Sequence, residues 1–356
     1  MNIKIHSSEL NRMMKTISQC VDDKIDKFSN IEICHDENQL TIRGCNGVFA
    51  AEMSTPLLGG NGEKFCVDGT MFARVCNMCS GDVNITTDGR VCTIKGAGRT
   101  RFPIVNAEVP EYTEMPEDGQ TVTVSAKDFS QAYRCVAHAI SKDQSRLMLT
   151  GVLVEVDETG LRMTTLDGFR MAIETIDCDG DPMKIIIPGN FMDLIQKSAA
   201  AGEKITLVTD GKKVQASTEG MRICCGLLAG EYPDVKRLIP ESFQTECLVG
   251  VDRVTVALKN SNIINRSEKM VKLDIDGNSL TVLSNSETAE YDAEIPCDTH
   301  GDGLKIAFNQ NYLTDTFGSI VAGEAVMKFG TATTPCVVQG KDCGGIRLIL
   351  PVRVVA

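Results

Sequence analysis

The sequence has no tryptophan, only four histidines, and aromatic residues at just 5% of the chain. None of the histidines lies in a zinc-ligand or nucleophile-elbow pattern, so neither kind of site is expected. No run reaches the roughly 18 apolar residues that a membrane span needs. The N-terminus lacks the basic and apolar segments of a secretory signal, and a cytoplasmic location is therefore expected.

An excess of positive charge is also missing. The chain has 36 Lys and Arg residues against 48 Asp and Glu residues, which gives a formal net charge of −12. This balance argues against a protein covered all over with nucleic-acid-binding cations. It leaves room for a local basic surface.

Cysteine is abundant, at 15 residues. Because the number is odd and the cysteines lie far apart in a large chain, we expect reduced thiols, most of them buried as small hydrophobic side chains. Cys76 and Cys79 have the spacing of a metal-ligand pair, but no second pair follows, and the same spacing fits one face of a helix. We expect no metal and no cofactor, and the scattered carboxylates provide no convergent acid and base.

A chain of 356 residues is long enough for two or three domains, and it contains an internal repeat. Helical patterns are expected to stop at Gly81, Gly202 and Gly323, which are spaced evenly, 121 residues apart. A glycine after the last turn can adopt the left-handed conformation that ends a helix. Since this period is far above that of solenoid repeats, three similar domains follow.

Each predicted stop is followed by a hairpin. Strand patterns at 83–87 and 205–209 lead into Asp88-Gly89 and Asp210-Gly211, and Asp-Gly between alternating strands is a strong hairpin signal. The third copy is expected to turn near Gly330-Thr331.

Two helices per repeat are predicted. The helix before each stop has one apolar face, as in Phe72, Val75 and Cys76. A second helix opens each repeat, with Ser8, Ser125 and Asp252 as candidate N-caps. The predicted fold is α+β, with two helices packed on antiparallel sheet in each of three domains at 1–119, 120–244 and 245–356.

Three segments then carry a resemblance to a known family. These are 165–172 (TLDGFRMA), 231–240 (EYPDVKRLIP) and 348–353 (LILPVR). Together with the three sequence repeats, and in this order along the chain, they resemble the bacterial DNA polymerase III beta subunit, or sliding clamp, family.

The resemblance implies a head-to-tail homodimer that closes a ring of six domains, with helices lining the hole and sheets outside. Duplex DNA would pass through the ring without sequence preference. Such a clamp has no catalysis of its own and serves a DNA-directed DNA polymerase, a nucleotidyltransferase complex, as its processivity subunit. The replicative polymerase, the clamp loader and repair proteins would bind through short peptide motifs.

DNA-binding candidates are basic residues on the predicted helices and in the loop after the first one. They are Arg12, Lys15, Lys24, Arg74, Lys127, Arg134, Lys197, Arg253 and Lys259. Contacts with phosphates would make binding sequence-independent and salt-sensitive. The alternative for any one of them is a solvated helix face.

The peptide pocket implied by the resemblance combines apolar walls with a few arginines, which suits an extended peptide. Its residues are Arg146, Leu149, Leu166, Gly168, Phe169, Arg170, Met171, Pro233, Arg237, Leu238, Leu348, Leu350, Pro351, Val352 and Arg353. Leu166, Phe169 and the extension Val355-Ala356 depart from the family pattern and leave the peptide preference open. The alternative is that 348–352 simply forms a buried last strand.

For ring closure, the resemblance points to Phe102 and Ile104 of one protomer against Ile263 and Ile264 of the other. Two other classes of function stay open on the residues alone. One is a peptide-binding scaffold unrelated to DNA, and the other is a hydrolase that uses carboxylates.

Overall fold

The structure is a computed structural model that describes residues 2–25, 28–96, 98–105, 116, 118–199, 204–264 and 269–353. The chain divides into two compact units. The first contains Met1–Ser130, Cys178–Met183 and Asn190–Leu227, and the second contains Gln131–Asp177, Lys184–Gly189 and Leu228–Ala356. Within the described ranges, no helix is both long and apolar enough to cross a membrane.

Helices and antiparallel strands follow one another along the chain. The α-helices are α1 (Ser7–Ile17), α2 (Gly69–Met78), α3 (Ala126–Val136), α4 (Gly189–Ser198), α5 (Val251–Ile264) and α6 (Gln310–Gly318). The strands are β1 (Asn2–His6), β2 (Asn30–His35), β3 (Gln39–Cys45), β4 (Phe49–Pro56), β5 (Glu63–Asp68), β6 (Asp82–Thr87), β7 (Val91–Lys95), β8 (Arg99–Pro103), β9 (Gln120–Ser125), β10 (Gly151–Asp157), β11 (Gly160–Leu166), β12 (Arg170–Ile176), β13 (Asp179–Gly180), β14 (Met183–Pro188), β15 (Lys204–Thr209), β16 (Lys213–Thr218), β17 (Met221–Gly226), β18 (Thr245–Gly250), β19 (Met270–Asp276), β20 (Ser279–Asn285), β21 (Glu290–Gly301), β22 (Leu304–Asn309), β23 (Glu324–Phe329), β24 (Cys336–Gly340) and β25 (Ile346–Ile349).

The first unit contains two sheets. One has the strand order β1-β6-β7-β8, and the other has the order β13-β9-β15-β16-β17-β4-β3-β2-β5. The second unit contains one long sheet, with the order β14-β10-β11-β12-β25-β24-β23-β18-β21-β20-β19-β22. The predicted α+β fold class, helices with antiparallel sheets, is confirmed.

The predicted Asp-Gly hairpins are confirmed. In the turn between β6 and β7, the Asp88 carboxylate accepts two backbone N–H groups at 2.8 and 2.9 Å, and Gly89 has φ of 85°. Asp210 and Gly211 repeat this arrangement between β15 and β16, with bonds of 2.7 and 2.8 Å and φ of 83°. Glycine adopts this φ without the steric cost that a side chain would add.

The predicted helix stops need correction. α2 ends at Met78 and α6 ends at Gly318, several residues before Gly81 and Gly323. The two glycines instead use their carbonyls, which accept the N–H of the first residue of α1 and of α5 at 2.8 and 3.0 Å. Their even spacing therefore marks an equivalent contact in two repeats, in which the glycine just before a strand binds the first residue of a helix. Gly81 also has the expected left-handed conformation, with φ of 65°, while Gly202 lies outside the described residues.

Two of the three candidate N-caps are also wrong. α1 is capped by His6, whose ring nitrogen accepts the N–H of Ser8, so Ser8 lies inside the helix. Asp252 lies in the first turn of α5, where its charge favours the positive end of the helix dipole. Ser125 is confirmed, because its hydroxyl accepts the N–H of Asp128 at 3.4 Å.

The thiols behave as predicted. Ten of the fifteen cysteines are buried, four are half-buried, and Cys343 is exposed, and none forms a disulfide. Burial raises the pKa of Cys20 and of Cys92 to about 12, so these thiols stay protonated and unreactive at neutral pH. The three domain boundaries stay a prediction, and Glu117 beside the first of them lies outside the described residues.

Candidate functional site

The segments 165–172 and 348–353 lie side by side in the second unit. β12 pairs antiparallel with β25, and the register places Arg170 opposite Ile349 and Met171 opposite Leu348. The N–H of Leu350 donates to the carbonyl of Phe169 at 2.9 Å, which extends the pairing beyond both strands. The tertiary fold therefore brings together two segments that the sequence separates widely.

A tight turn between β11 and β12 presents Phe169. The carboxylate of Asp167 accepts the backbone N–H groups of Phe169 and Arg170 at 2.8 and 3.0 Å. Gly168 has φ of 93°, in the region that favours glycine. The turn leaves the Phe169 side chain 58% exposed, and an aromatic ring in that position is available to a partner.

Arg170 is held on three sides. Its guanidinium forms ion pairs with Asp167 at 2.9 Å and with Asp315 at 2.7 Å. It also lies over the ring of Tyr312, 4.3 Å from the centroid, and Tyr312 packs beside Phe169 with the ring centroids 6.0 Å apart. Arg170 is therefore held in place, because its Nε and Nη1 atoms both donate to carboxylates.

Tyr312 and Asp315 are site residues that the sequence analysis missed. Both lie on α6, three positions apart, so they lie on the same side of the helix. The sequence offered one sign of a shared role, namely that the two residues are three positions apart on a helix without lysine or arginine. Their partners are more than 140 residues away, which no local pattern reveals.

Four apolar residues of the predicted pocket are buried. With their neighbours, they form one cluster of buried residues: Leu149, Leu153, Leu166, Met171, Ile186, Tyr232, Val235, Val337 and Leu348. Met171 has no exposed surface and Leu348 is 4% exposed. In this conformation these side chains belong to the core, and a peptide could touch them only if the cluster opened.

The exposed apolar residues of the predicted pocket lie close to members of this cluster along the chain, and we call them the apolar rim: Phe169, Leu238, Leu350 and Val352. Their exposed fractions are 58%, 41%, 38% and 38%. Strand alternation explains part of this division, since successive side chains of a strand point to opposite faces. Of the predicted apolar residues, these four offer the most surface to a peptide.

The remaining pocket candidates are polar or rigid. Arg146 is exposed, and its guanidinium nitrogen lies 4.0 Å from the position that a Cβ would take on Gly168. Arg237 is exposed and pairs with Asp234 at 3.0 Å. Pro233 and Arg353 are exposed and Pro351 is half-buried, while Val355 and Ala356 lie outside the described residues.

His138 lies near two buried arginines of this region. Burial, and then the charges of Arg170 and Arg347, lower the pKa of His138 to about 3. The ring is therefore neutral at physiological pH. Arg347 in turn pairs with Glu174 at 2.9 Å and donates to the carbonyl of Ser319 at 3.2 Å.

The predicted DNA-binding cations lie on helices, except Lys24 in its loop. Arg12 is half-buried and pairs with Glu9 at 2.7 Å, which offsets its charge. The others are exposed. The first unit holds Arg12, Lys15, Lys24, Arg74, Lys127 and Lys197, and the second holds Arg134, Arg253 and Lys259.

The predicted interface residues differ in exposure. Ile263 is 65% exposed at the end of α5, whereas Phe102 is 7% exposed and packs on Phe72 with the ring centroids 6.1 Å apart. Ile104 and Ile264 are half-buried. β8, which contains Phe102, is an end strand of its sheet, so its backbone edge is open within the part of the chain that the structure describes.

Comparison with known proteins gives consistent matches. Two family models match: the DNA polymerase III beta subunit central domain at residues 123–234, and the C-terminal domain of the same subunit at 236–353. The beta sliding clamp of Staphylococcus epidermidis is 24% identical over 366 residues, which cover 97% of this chain and 96% of that protein.

Solved structures have the same fold. The DNA polymerase III beta subunit of Thermotoga maritima matches with a TM-score of 0.88 at 23% identity, over 99% of this chain and 100% of that one. The sliding clamp of Pseudomonas aeruginosa bound to griselimycin matches with a TM-score of 0.92 at 18% identity, over the same shares.

Proposed function

This chain belongs to the DNA polymerase III beta subunit family, and we propose that it acts as a sliding clamp, a homodimeric ring around duplex DNA that tethers the replicative polymerase. It performs no catalysis of its own and gives the polymerase its processivity. The observation that carries the proposal is the match of the two family models, which together follow the chain from residue 123 to residue 353. We propose that it acts in the cytoplasm.

A ring explains how a protein of net charge −12 holds DNA. A topological link requires no tight binding, so an acidic outer surface is compatible with function and discourages non-specific adhesion. The exposed helix lysines and arginines supply phosphate contacts inside the ring. Such contacts carry no sequence information.

Partner proteins dock through short peptides on the apolar rim. Phe169, Leu350 and Val352 offer exposed apolar surface beside the fixed Arg170, and apolar contacts flanked by a few charges suit an extended peptide. We propose that the polymerase, the clamp loader and repair proteins share this site. The griselimycin-bound relative supports the presence of a ligand site in this fold.

Ring closure uses the open edge of β8 and the end of α5. An exposed strand edge is a ready template for pairing with another chain, and Pro103 removes one backbone donor from it. The exposed Ile263 supplies apolar contact with the partner protomer.

The experiment compares how long the protein stays bound to circular DNA and to linear DNA. Protein loaded on nicked circular plasmid by a clamp loader should stay bound during gel filtration and leave when the plasmid is cut once. A cut plasmid whose ends are blocked by streptavidin is the matched control and should retain the protein. Equal retention on open linear DNA at moderate salt would contradict the clamp, as would a monomer at all concentrations.

A further inference from the structure

A groove lies next to the apolar rim, on the face of the β19-β20-β22 part of the second unit that carries Lys272 and Asp274. It has a volume of about 660 Å³. The registers place Lys272 opposite both Leu283 and Ala307, and Asp274 opposite Lys305. Because paired residues share one face of a sheet, these five side chains form the floor of the groove.

The walls of the groove come from two other segments. One is the C-terminal segment, in which the N–H of Val352 donates to the carbonyl of Ala307 at 2.8 Å. The other is the turn between β23 and β24, which contributes Ala332 and Thr333. Val352 lines the groove and also belongs to the apolar rim, so the groove continues the surface on which we place the peptide anchors.

The groove has a basic lining. Three cations, Lys272, Lys305 and Arg353, line it together with a single carboxylate, Asp274. Asp274 is engaged by Lys305 at 2.8 Å, and within the described ranges no carboxylate pairs with Lys272 or Arg353. In a chain of net charge −12, a concave site with this charge balance attracts anionic ligands.

The backbone at the edge offers further hydrogen bonds. β22 ends its sheet, and among the described strands it pairs with β19 alone. The Ala307 carbonyl points away from β19, towards Val352. Because residues two positions apart on a strand direct their backbone groups to the same side, the N–H and carbonyl of Lys305 also point away from β19. An extended peptide can use such an edge.

We propose that this groove, the basic groove, binds acidic residues that flank the apolar anchors of a partner peptide. This site rests on the proposed function, since it adds a charge-selective contact to the docking of partner peptides on the apolar rim. The anchors occupy the apolar rim, and the flanking segment passes Val352 and places Asp or Glu side chains near Lys272, Lys305 and Arg353. The site thereby selects among partner peptides by the charge beside the shared apolar motif.

The test uses labelled peptides with one apolar core, carrying three Asp residues or three Ser residues at either end. Fluorescence anisotropy with the full-length dimer should show about fivefold tighter binding for one acidic peptide at low salt, as expected for a few exposed ion pairs. The advantage should shrink as salt is raised.

Lys272→Glu together with Lys305→Glu should remove this advantage and leave the affinity of the Ser peptides unchanged. The matched control is Lys184→Glu. Like Lys305, Lys184 is an exposed lysine on an end strand, and it pairs with Glu155 at 3.3 Å. The control should keep the full advantage.

Three outcomes would overturn the proposal. Equal affinity of the acidic and Ser peptides refutes the basic groove but leaves the docking on the apolar rim intact. The same holds if the acidic peptide still binds more tightly after the double charge reversal. If no peptide binds at all, the proposed docking on the apolar rim fails and the groove proposal fails with it.

Discussion

Phe169→Ala should separate peptide binding from folding. The Phe169 side chain is 58% exposed, and its nearest ring is Tyr312 at 6.0 Å. The hydrogen bonds at this position use its backbone N–H and carbonyl, which alanine retains. Loss of a side chain that is more than half exposed should change the free energy of unfolding by less than about 1 kcal/mol.

The same substitution should weaken peptide binding strongly. Aromatic anchors at the centre of an interface are worth about 2 kcal/mol when truncated, which corresponds to a roughly 30-fold rise in Kd. Anisotropy titration of an apolar peptide measures the affinity, and urea unfolding of the same samples measures the stability.

Met171→Ala is the contrasting variant. Met171 has no exposed surface, so its truncation leaves a cavity and should cost about 2–5 kcal/mol of folding free energy. A charged replacement such as Met171→Lys would be harsher, because it buries an unpaired ammonium. Neither substitution tests the pocket cleanly.

The opposite pattern would contradict peptide docking on the apolar rim. If Phe169→Ala binds the peptide as tightly as the parent while Met171→Ala folds normally and loses affinity, the peptide contacts the buried cluster and not the apolar rim. Equal affinity in both variants, with normal folding, would place the peptide site elsewhere.

Further substitutions test the dimer interface, the DNA-binding cations and His138. Ile263→Glu should shift the dimer towards monomer in sedimentation velocity, whereas Val256→Glu, at another exposed position of α5, should not; a dimer that survives the first change contradicts the interface. Replacing Lys24 and Arg134 by Ala should weaken DNA binding equally for all sequences and flatten the log–log salt dependence by about one unit for each phosphate that is no longer neutralised; an unchanged slope would mean that neither side chain binds a phosphate. His138 has a folded-state pKa of about 3 against an ordinary value of 6.5, so the unfolded chain binds more protons between these values and stability falls as pH drops, by at most about 1.4 kcal/mol per pH unit. His138→Gln should reduce this slope in urea unfolding between pH 4 and 7, and an identical slope would show that other groups cause the loss of stability.

Much of the local structure was predictable because its signals are local. The Asp88-Gly89 and Asp210-Gly211 turns need only a side-chain oxygen two or three residues from the N–H groups it accepts, together with a glycine at positive φ. The apolar face of α2 follows from helical periodicity, and Phe72 and Cys76 are indeed fully buried. Even here, the predicted helix end lies too far along the chain: Gly81 has the left-handed φ of 65°, but α2 already ends at Met78.

The fold class, the hairpins, the helix faces and the segments of the candidate site therefore follow from local sequence patterns and the family resemblance. Which of those residues are exposed depends on the tertiary structure. Pairing of β12 with β25 buries Met171 and Leu348 and leaves Phe169 and Leu350 at the rim. The same packing supplies Arg170 with Asp315. These properties depend on strands and helices that are distant along the chain, and periodicity or turn chemistry within a short window carries no information about which distant element will lie alongside.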